Sequence, residues 1–294
     1  MVEAIKNRYE FVILFDVENG NPNGDPDAGN MPRIDAETGY GIVTDVCIKR
    51  KIRNYVEVVK NDSLGYKIYV KENVPLDVNR KWSYTETGIE IPKDKKGEAN
   101  ADKPKDEEEY RKITKFMCDN FFDIRTFGAV MTLKYNCGQV RGPVQINFAR
   151  SIDPIIPQEL TITSVTTANK GELSSKMGRK HIVPYALYRT EGYVSANLAR
   201  KTTGFSEEDL ELLWEAIINM FEHDHSAARG KMAVRKLYIF KHNSELGSAP
   251  SHMLFNLVKV SKKNPEIPAR EYSDYQVEIE SSKLPNGVEM IEKL

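Results

Sequence analysis

The sequence predicts an α+β fold, an RRM-like or ferredoxin-like palm with large insertions that include a protruding arm. Two segments that begin at Thr44 and Ser206 show the apolar periodicity of helices. Strand-like segments precede, separate and follow them, in the order strand, helix, strands, helix, strand. Two long stretches, residues 73–109 and 155–181, interrupt this order. We therefore expect one domain, 1–294, that carries two insertions.

The first core strand is predicted at Tyr9–Val17, whose β-branched and aromatic residues occupy both faces, as in a strand that is covered on both sides or lies at a subunit contact. Residues 19–41 are rich in glycine, proline and asparagine, which predicts a long loop without regular structure. Thr44 is a suitable N-cap for a first helix that extends to Lys60. Its apolar residues recur at helical spacing: Ile48, Ile52, Tyr55, Val56 and Val59.

The middle of the chain alternates short elements with polar stretches. Residues 73–109 are polar, with a dense mixture of charges from Lys93 onward, and this composition predicts an exposed, partly mobile, finger-like insertion. The other elements predicted here are a short strand at Gly65–Val70, an amphipathic helix at Tyr110–Phe122, and a strand at Pro143–Ala149 in which Val144, Ile146 and Phe148 alternate.

The second half of the chain returns to the core after the arm. Residues 155–181 combine a Thr-rich alternating piece with the basic run NKGELSSKMGRKH, which predicts a protruding arm. Ser206 is expected to cap a second helix whose apolar stripe is Leu210, Leu213, Trp214, Ile217 and Phe221. The remaining predictions are strand pairs at Ile182–Leu198, a strand at Val234–Lys241 and a last strand at Phe255–Val260.

Bulk composition restricts the class of protein. The 294 residues are 40% hydrophobic and 29% charged, with a mean hydropathy of -0.51, which is typical of a globular chain. The sequence has no apolar run of membrane-helix length and no signal-peptide core, so we expect a cytoplasmic protein without membrane contact. Three widely spaced cysteines predict reduced thiols. Because the net charge is -1, any affinity for nucleic acid has to come from local basic surfaces.

The loop from Asp16 to Asp27 invites a calcium interpretation, because carboxylates and asparagines alternate along it. The sequence does not fit the twelve-residue EF-hand calcium loop, which has a glycine at its sixth position. With Gly24 at that position, Asn19 is the first residue and Asn30 the last, so the acidic ligands expected at both positions are missing. One alternative is a turn-rich loop that only satisfies backbone geometry. Another is a loop whose amides contact RNA phosphates and 2′-hydroxyls, through Asn19, Asn21 and Asn23.

Two further segments carry candidate phosphate contacts. Lys49, Arg53 and Lys60 share one stripe of the first helix, which is either a phosphate-binding row or an ordinary solvated face. The arm tip is basic, with Met177 between the cations, so it could pair with phosphates and insert between bases. The alternative for the arm is an unpaired mobile loop. The candidate residues of the arm are Lys170, Lys176, Met177, Arg179, Lys180 and His181.

Catalytic signals are weak. His223-Asp224-His225 is similar to the His-Asp pair of metal phosphohydrolases, but its position after a capped helix also fits a role at the helix terminus. No phosphate-binding P-loop and no nucleophile elbow occur in the sequence. The remaining candidates are the aspartates Asp16, Asp25, Asp27 and Asp35. We predict no catalytic residue, no metal site and no cofactor.

Four segments together carry a family resemblance. FDVENGNPNGDPDAGNMPR (15–33) and TDVCIKRKIRNYV (44–56) closely resemble the backbone subunit of the type I-C CRISPR Cascade complex, a guide-RNA-binding member of the RRM-like RAMP superfamily. RGPVQINFARSIDP (141–154) and the MAVRKLYIF strand (232–240) extend the similarity over nearly the whole chain. The resemblance implies an RRM-like palm with finger-like insertions and a thumb.

The resemblance also implies partners. Members of this family stack head to tail along the guide RNA, each thumb reaching over the RNA of a neighbour, and the bound RNA pairs with one strand of invading DNA beside other Cascade subunits. Carried over to this sequence, residues 155–181 correspond to the thumb. The alternative is a metal-dependent ribonuclease of the type III backbone kind. The RNA-binding residues that we expect are Asn19, Asn21, Asn23, Arg33, Lys49, Arg50, Arg53, Arg141, Lys170, Lys176, Met177, Arg179, Lys180 and His181.

Overall fold

A computed structural model describes residues 3–102, 104, 106–163 and 177–294. Within these residues the fold is mixed α/β with a large antiparallel sheet. The strands are β1 Tyr9–Gly20, β2 Gly24–Asp25, β3 Met31–Pro32, β4 Tyr40–Val43, β5 Gly128–Met131, β6 Gly138–Arg141, β7 Val144–Ile146, β8 Ala149–Pro154, β9 Gln158–Thr163, β10 Met177–Val194, β11 Lys231–His242, β12 Val258–Lys262, β13 Tyr275–Ile279 and β14 Val288–Glu292.

Helices lie between these strands and connect them. Two of them are long and well capped, and the others are short or belong to an insertion. Their bounds are α1 Asp45–Lys60, α2 Leu76–Thr87, α3 Glu107–Asn120, α4 Phe122–Phe127, α5 Ala196–Leu198, α6 Glu207–Asn219 and α7 Ser251–Phe255.

The main sheet has the order β14-β11-β1-β10-β8-β4. Strand β10 is longer than its neighbours and pairs with different strands along its length. Its inner part pairs with β1 from Gly20↔Val183 to Tyr9↔Val194, while its first six residues pair only with β9. The outer part of β10 therefore leaves the sheet as a two-stranded ribbon with β9.

Both faces of the sheet are covered. Phe11, Ile13 and Phe15 of β1 pack against α1 and α6 in one core, and the ring of Phe11 meets Trp214 at a centroid distance of 5.2 Å. Val12 and Leu14 point the other way, into a second core formed with α7, β12 and β13. This confirms the prediction that the first strand is buried on both faces, as the alternation of side chains along a strand requires.

The two helices expected from periodicity are confirmed. The side chain of Thr44 caps α1 by accepting from the backbone N–H of Cys47, and α1 ends at Lys60. Ser206 caps α6 in a reciprocal capping box with Asp209. These caps hold because a short polar side chain satisfies N–H groups that the first turn of a helix leaves unpaired.

A third core lies in a helical lobe, residues 69–141, built from α2, α3, α4, β5 and β6. The prediction of a strand at Gly65–Val70 is wrong. Among the described residues, this segment makes one isolated β-bridge, between Lys67 and Phe121. The expectation that residues 73–109 form an exposed insertion needs correction at α2, which forms within them and buries Tyr84 in the lobe. Helix α3 begins at Glu107, three residues before the predicted start, since Asp106 caps it.

Several strand predictions need correction in their bounds. The strand predicted at Pro143–Ala149 divides into β7 and β8, and Phe148 between them is 56% exposed. Residues 182–194 belong to one long strand instead of strand pairs, and Phe255 ends α7 before β12 begins. Strands β13 and β14 were missed, because they are short and lie among many polar residues. Among the described residues, no helix is long and apolar enough to cross a membrane.

Candidate nucleic-acid interface

Four segments meet at one end of the main sheet. Strand β1 ends there, with Glu18 opposite both Tyr185 of β10 and Lys231 of β11. The backbone N–H of Asn21 donates to the carbonyl of Ala228 at 2.8 Å, which fixes the loop after β1 to the segment before β11. We call this the arm end of the sheet: residues 18–33, 158–163, 177–183 and 228–231. It brings together basic side chains from separate parts of the sequence.

The arm is a ribbon of β9 and the outer part of β10. All six residues of β9 are exposed, and pairing runs from Met177↔Thr163 to Ile182↔Gln158. Because opposite residues share a face, one face carries Leu160 and Ile162 while the other carries Met177 and Arg179. Met177 is 76% exposed, and Arg179 Nε lies 3.2 Å from Glu159 Oε1.

The arm tip is only partly described. Lys170 and Lys176, two predicted RNA contacts, lie outside the described residues. Lys180 and His181 follow Arg179 and are half-buried. His181 lies opposite Glu159, so one face of the ribbon combines this acid with the two predicted contacts His181 and Arg179. RNA contact by the arm stays a prediction.

The asparagines of the first loop organise the loop itself. Asn19 is at the end of β1 in the left-handed region, with φ 51°. Asn21 Nδ2 donates to the carbonyl of Asn30 at 2.6 Å, and Asn23 Oδ1 accepts from both N–H and Oγ1–H of Thr44 at 3.0 Å. These contacts support the interpretation of a turn-rich loop. RNA contact by the same amides remains a prediction.

Arg33 lies in this loop with its side chain 32% exposed. Its Nη1 is 3.3 Å from Asp25 Oδ2, and its backbone N–H donates to the carbonyl of Asn23. Arg33 Nε and Asn21 Oδ1 are buried polar atoms without a hydrogen-bond partner in the part of the chain that is described. Arg33 is therefore held at the arm end by Asp25 and the loop backbone, and its guanidinium can still donate further hydrogen bonds.

The cations of α1 are mostly engaged within the protein. Lys49 Nζ lies 2.9 Å from Asp45 Oδ2, and Arg50 Nη1 donates to the carbonyl of Val70 at 2.7 Å. Arg53 is buried, and its Nε donates to Asp123 Oδ2 at 2.8 Å. The exposed basic stripe expected on α1 is therefore not formed at Arg53, because the helical lobe covers this side of the helix.

Other predicted site residues fall elsewhere. Arg141 is exposed on β6, two residues before Pro143, and the neighbouring strand β7 pairs Val144 with Val194. This is the end of β10 opposite to the arm, so the structure does not bring Arg141 to the arm end. Lys60 lies over the ring of Tyr66, 4.2 Å from its centroid.

Sequence reasoning missed three cations near the arm end: Arg229, Lys231 and Arg235. Lys231 Nζ lies 3.1 Å from Glu18 Oε2, and Arg229 contacts Asp224. Periodicity describes one segment at a time. These residues come to lie beside the first loop through the pairing of β11 with β1. The available signal was the run of cations in RGKMAVRK, at the start of the strand.

The catalytic candidates are also engaged. Asp16 is buried and accepts from Tyr185 Oη at 2.9 Å and from Arg235 Nε at 2.8 Å. Burial, followed by the charge of Asp16, raises the pKa of Tyr185, so this phenol stays protonated and donates. Asp224 of the HDH motif accepts from the buried ammonium of Lys51.

The loop aspartates have partners as well. Asp35 Oδ2 lies 3.2 Å from Arg150 Nη1, and the backbone N–H of Glu37 holds the pKa of Asp35 below its ordinary value. Asp25 accepts from the backbone N–H of Asp27. In the part of the chain that the structure describes, no three His, Cys, Asp or Glu residues are grouped closely enough to hold a metal ion. These contacts do not favour the ribonuclease alternative.

Comparison with known proteins defines the class. The family model of the CRISPR-associated protein Cas7 matches residues 7–280, and the chain belongs to this family. The CRISPR-associated protein Cas7 of Haloferax volcanii is 28% identical over 237 residues, which are 72% of this chain. That match spans 65% of the length of the relative.

A similar fold occurs in a solved structure. A chain of a CRISPR RNA-guided surveillance complex in a pre-nicking state superimposes with a TM-score of 0.53. The superposition covers 84% of this chain and 81% of the other, at 14% sequence identity. At this identity the similarity establishes the fold, including the large antiparallel sheet, and not the ligand.

Proposed function

We propose that this chain binds CRISPR guide RNA without cutting it, as the backbone subunit of a Cascade complex of type I-C. The observation that carries the proposal is the arm end, where the Asn- and Gly-rich loop and a projecting basic ribbon meet on a Cas7-family fold. A loop and a ribbon at the same end of a sheet suit an extended single strand, which needs contacts along its backbone.

The topology supports our assignment of a palm and a thumb. We assign the palm to β1, α1, β8, β10, α6 and β11, which succeed one another as βαββαβ with the strand order β11-β1-β10-β8. We assign the thumb to residues 155–181, which contain β9 and the outer part of β10. The assignment is supported by the pairing of β10, which changes from β9 to β1 at Val183, opposite Gly20, the last residue of β1.

Contact with RNA is largely electrostatic and independent of sequence in this proposal. The available groups at the arm end are cations and amides, which recognise phosphates and sugars, and not a set that reads base edges. Met177 is the apolar side chain placed to wedge between bases, because it is exposed on the same face as Arg179. The Arg53 contact is the least compatible with the geometry, since its guanidinium is buried against Asp123.

The partners in this proposal are the guide RNA, the DNA strand that pairs with it, other Cascade subunits and further copies of the chain. A ribbon at one end that fits a different surface of the next copy makes a heterologous contact, which propagates without closing. RNA length then sets the number of copies in the assembly.

Co-expression with a repeat-spacer RNA tests this function. We expect a ribonucleoprotein whose mass, measured by native mass spectrometry, increases in steps when the spacer is lengthened. A particle that contains no RNA, or whose mass does not change with spacer length, would contradict the proposal. The matched control is the same chain expressed without the repeat-spacer RNA, because sequence-independent contacts would also hold an unrelated RNA.

The ribonuclease alternative has its own test. The assembled complex is incubated with complementary RNA and Mg²⁺, and we expect the RNA to remain intact. Regularly spaced cuts that disappear in the Asp25→Ala or Asp27→Ala variant would favour the enzyme instead.

A further inference from the structure

A polar cavity of about 390 Å³ lies beside the arm end, on the face of the sheet away from α1 and α6. It is bounded by the end of β1, the start of β11 and the loop before β13. Eight residues line it: Glu18, Tyr185, Lys231, Arg235, Arg270, Glu271, Tyr272 and Ser273.

A β-bulge directs Arg235 into this cavity. In the pairing of β1 with β11, Leu14 lies opposite Lys236 and Phe15 lies opposite Val234, so Arg235 has no opposite residue. Val234 and Leu237 both face the helices although they are three positions apart. A β-bulge adds one residue to a strand, which shifts the alternation of side chains between the two faces and redirects the extra side chain. Arg235 is thereby placed on the cavity face.

The guanidinium of Arg235 is held by two contacts that leave its outer nitrogens available. Its Nε donates to the buried carboxylate of Asp16 at 2.8 Å, and its Cζ lies 5.7 Å from the ring centroid of Tyr272. Asp16 is itself held by Tyr185. Among the described residues, Nη1 and Nη2 of Arg235 make no hydrogen bond that we observe. The guanidinium of Arg235 is fixed by the hydrogen bond of its Nε and by the ring of Tyr272. Its two outer nitrogens are therefore pre-organised to donate to a bidentate acceptor.

A second guanidinium approaches the cavity from a fixed loop. The backbone N–H groups of Arg270 and Glu271 both donate to Asp274 Oδ2, at 2.7 and 3.1 Å. This turn orders the backbone while the Arg270 side chain remains exposed. Its Nη1 contacts only the carbonyl of the neighbouring Ala269, at 3.2 Å, in the described part of the chain.

The acids in the lining are already engaged. Glu18 Oε2 lies 3.1 Å from Lys231 Nζ, and Glu271 Oε1 accepts from Ser273 Oγ at 2.6 Å. The negative charges of these two acids reduce the positive electrostatic potential in the cavity, which disfavours a long polyanion lying across it. The unsatisfied donors of Arg235 and Arg270 instead suit one compact anion.

We propose that this cavity binds a single phosphate group, gripped by Arg235 and Arg270 with Lys231 at its edge. Two guanidinium forks and an ammonium offer more donors than the two oxygens of a carboxylate accept, whereas a phosphate presents additional oxygens. The phosphate can be free or can belong to a nucleic-acid backbone. The site adjoins the arm end and shares Glu18 and Lys231 with it, but phosphate binding here does not require the guide-RNA contacts of the arm.

Calorimetric titration of the full chain with inorganic phosphate, at constant ionic strength, tests the site. We expect saturable binding that weakens about tenfold or more in Arg270→Gln, because a charge-assisted hydrogen bond is lost. Arg235→Lys keeps the charge but loses the fork, and we expect a similar loss. The matched control is Arg200→Gln, which removes an exposed arginine paired with Glu245.

No saturable heat with the wild-type chain, or equal affinities in Arg270→Gln and Arg200→Gln, overturns the proposal. Arg270→Gln is the decisive variant, since the Arg270 side chain is exposed and makes no ion pair with any residue that the structure describes. A short oligouridylate then distinguishes the sources. Competition that depends on Arg270 assigns the site to a nucleic-acid phosphate, and no competition assigns it to the free ion.

Discussion

Arg53 Nε donates to Asp123 Oδ2 at 2.8 Å, and both residues are buried between α1 and the helical lobe. The carboxylate of Asp123 also accepts from the backbone N–H groups of Tyr69 and Val70, at 2.8 and 3.1 Å. Three donors from two segments thus meet on one acceptor of α4. The arginine that the sequence suggested for RNA fastens the lobe to α1.

Arg53→Ala is expected to lower the free energy of unfolding by about 3–5 kcal/mol, because removal of one partner leaves the other charge buried without a counterion. Urea unfolding followed by circular dichroism measures the loss. Arg150→Ala is the control, since its ion pair with Asp35 is exposed, and it should cost less than about 1 kcal/mol. A stable Arg53→Ala chain with weakened RNA binding would restore Arg53 to the RNA contacts.

Removing the arm cations should make RNA binding less dependent on salt. For single strands, log K falls with log salt by about 0.7 per neutralised phosphate, so Arg179→Gln with Lys180→Gln should reduce the slope by about 1.4. Filter binding over a range of salt concentrations measures the slope. An unchanged slope, equal to that of the Arg200→Gln control, would mean that these residues do not contact phosphates.

The three thiols should differ in reactivity. Cys118 and Cys137 are buried in the lobe, whereas Cys47 is partly exposed at the start of α1. Burial raises the pKa of Cys118 to about 12 and that of Cys137 to about 11. With a chromogenic disulfide reagent at pH 8, we expect Cys47 to react first and the other two only after unfolding. Fast reaction of the native Cys47→Ser variant would contradict the burial of the lobe thiols.

The same two thiols make the lobe sensitive to alkaline pH. Their pKa values are higher in the folded chain than the ordinary value of 9.0, so the folded state holds more protons above that pH. Stability that is fully present below pH 9 is therefore lost as the pH rises toward 11 and 12. By pH 10 we expect a loss of roughly 1 kcal/mol for each thiol. Urea unfolding at pH 8 and pH 10 should show a smaller loss for Cys118→Ala; equal losses would exclude Cys118 as a source.

Gly20 permits the close contact that closes the arm end. A Cβ at this position would lie 1.7 Å from the carbonyl oxygen of Arg229, a backbone atom that cannot move aside alone. We expect Gly20→Ala to cost about 1–3 kcal/mol or more and to weaken RNA binding, because the loop and the start of β11 separate. Gly178→Ala is the control, as its Cβ would meet only the flexible Ile162 side chain at 3.2 Å. Equal thermal stability of the two variants would contradict this role.

Local sequence patterns predicted the elements whose signals are contained within a few turns. Thr44 and Ser206 cap helices because each side chain accepts from a backbone N–H group only three residues further along the sequence. The lobe was harder to predict, since α2 buries Tyr84 against residues up to about fifty positions away and leaves its Leu76 and Val78 exposed. The two short strands β13 and β14 depend similarly on partners distant in sequence.

The sequence by itself determined the first buried strand, its two capped helices and the family, because a motif of nearly twenty residues from Phe15 to Arg33 and the apolar periodicities are local information. Tertiary structure alone decided which cations are available. Lys49, Arg50 and Arg53 look alike on a helix, yet the lobe buries Arg53 and engages Arg50, while Asp45 of the same helix engages Lys49. Arg235 looks like an ordinary strand residue, yet a bulge and the pairing of β11 with β1 place it in a polar cavity. The physical reason is that the free energy of a charged group depends on its neighbours in space, which strand register and packing set.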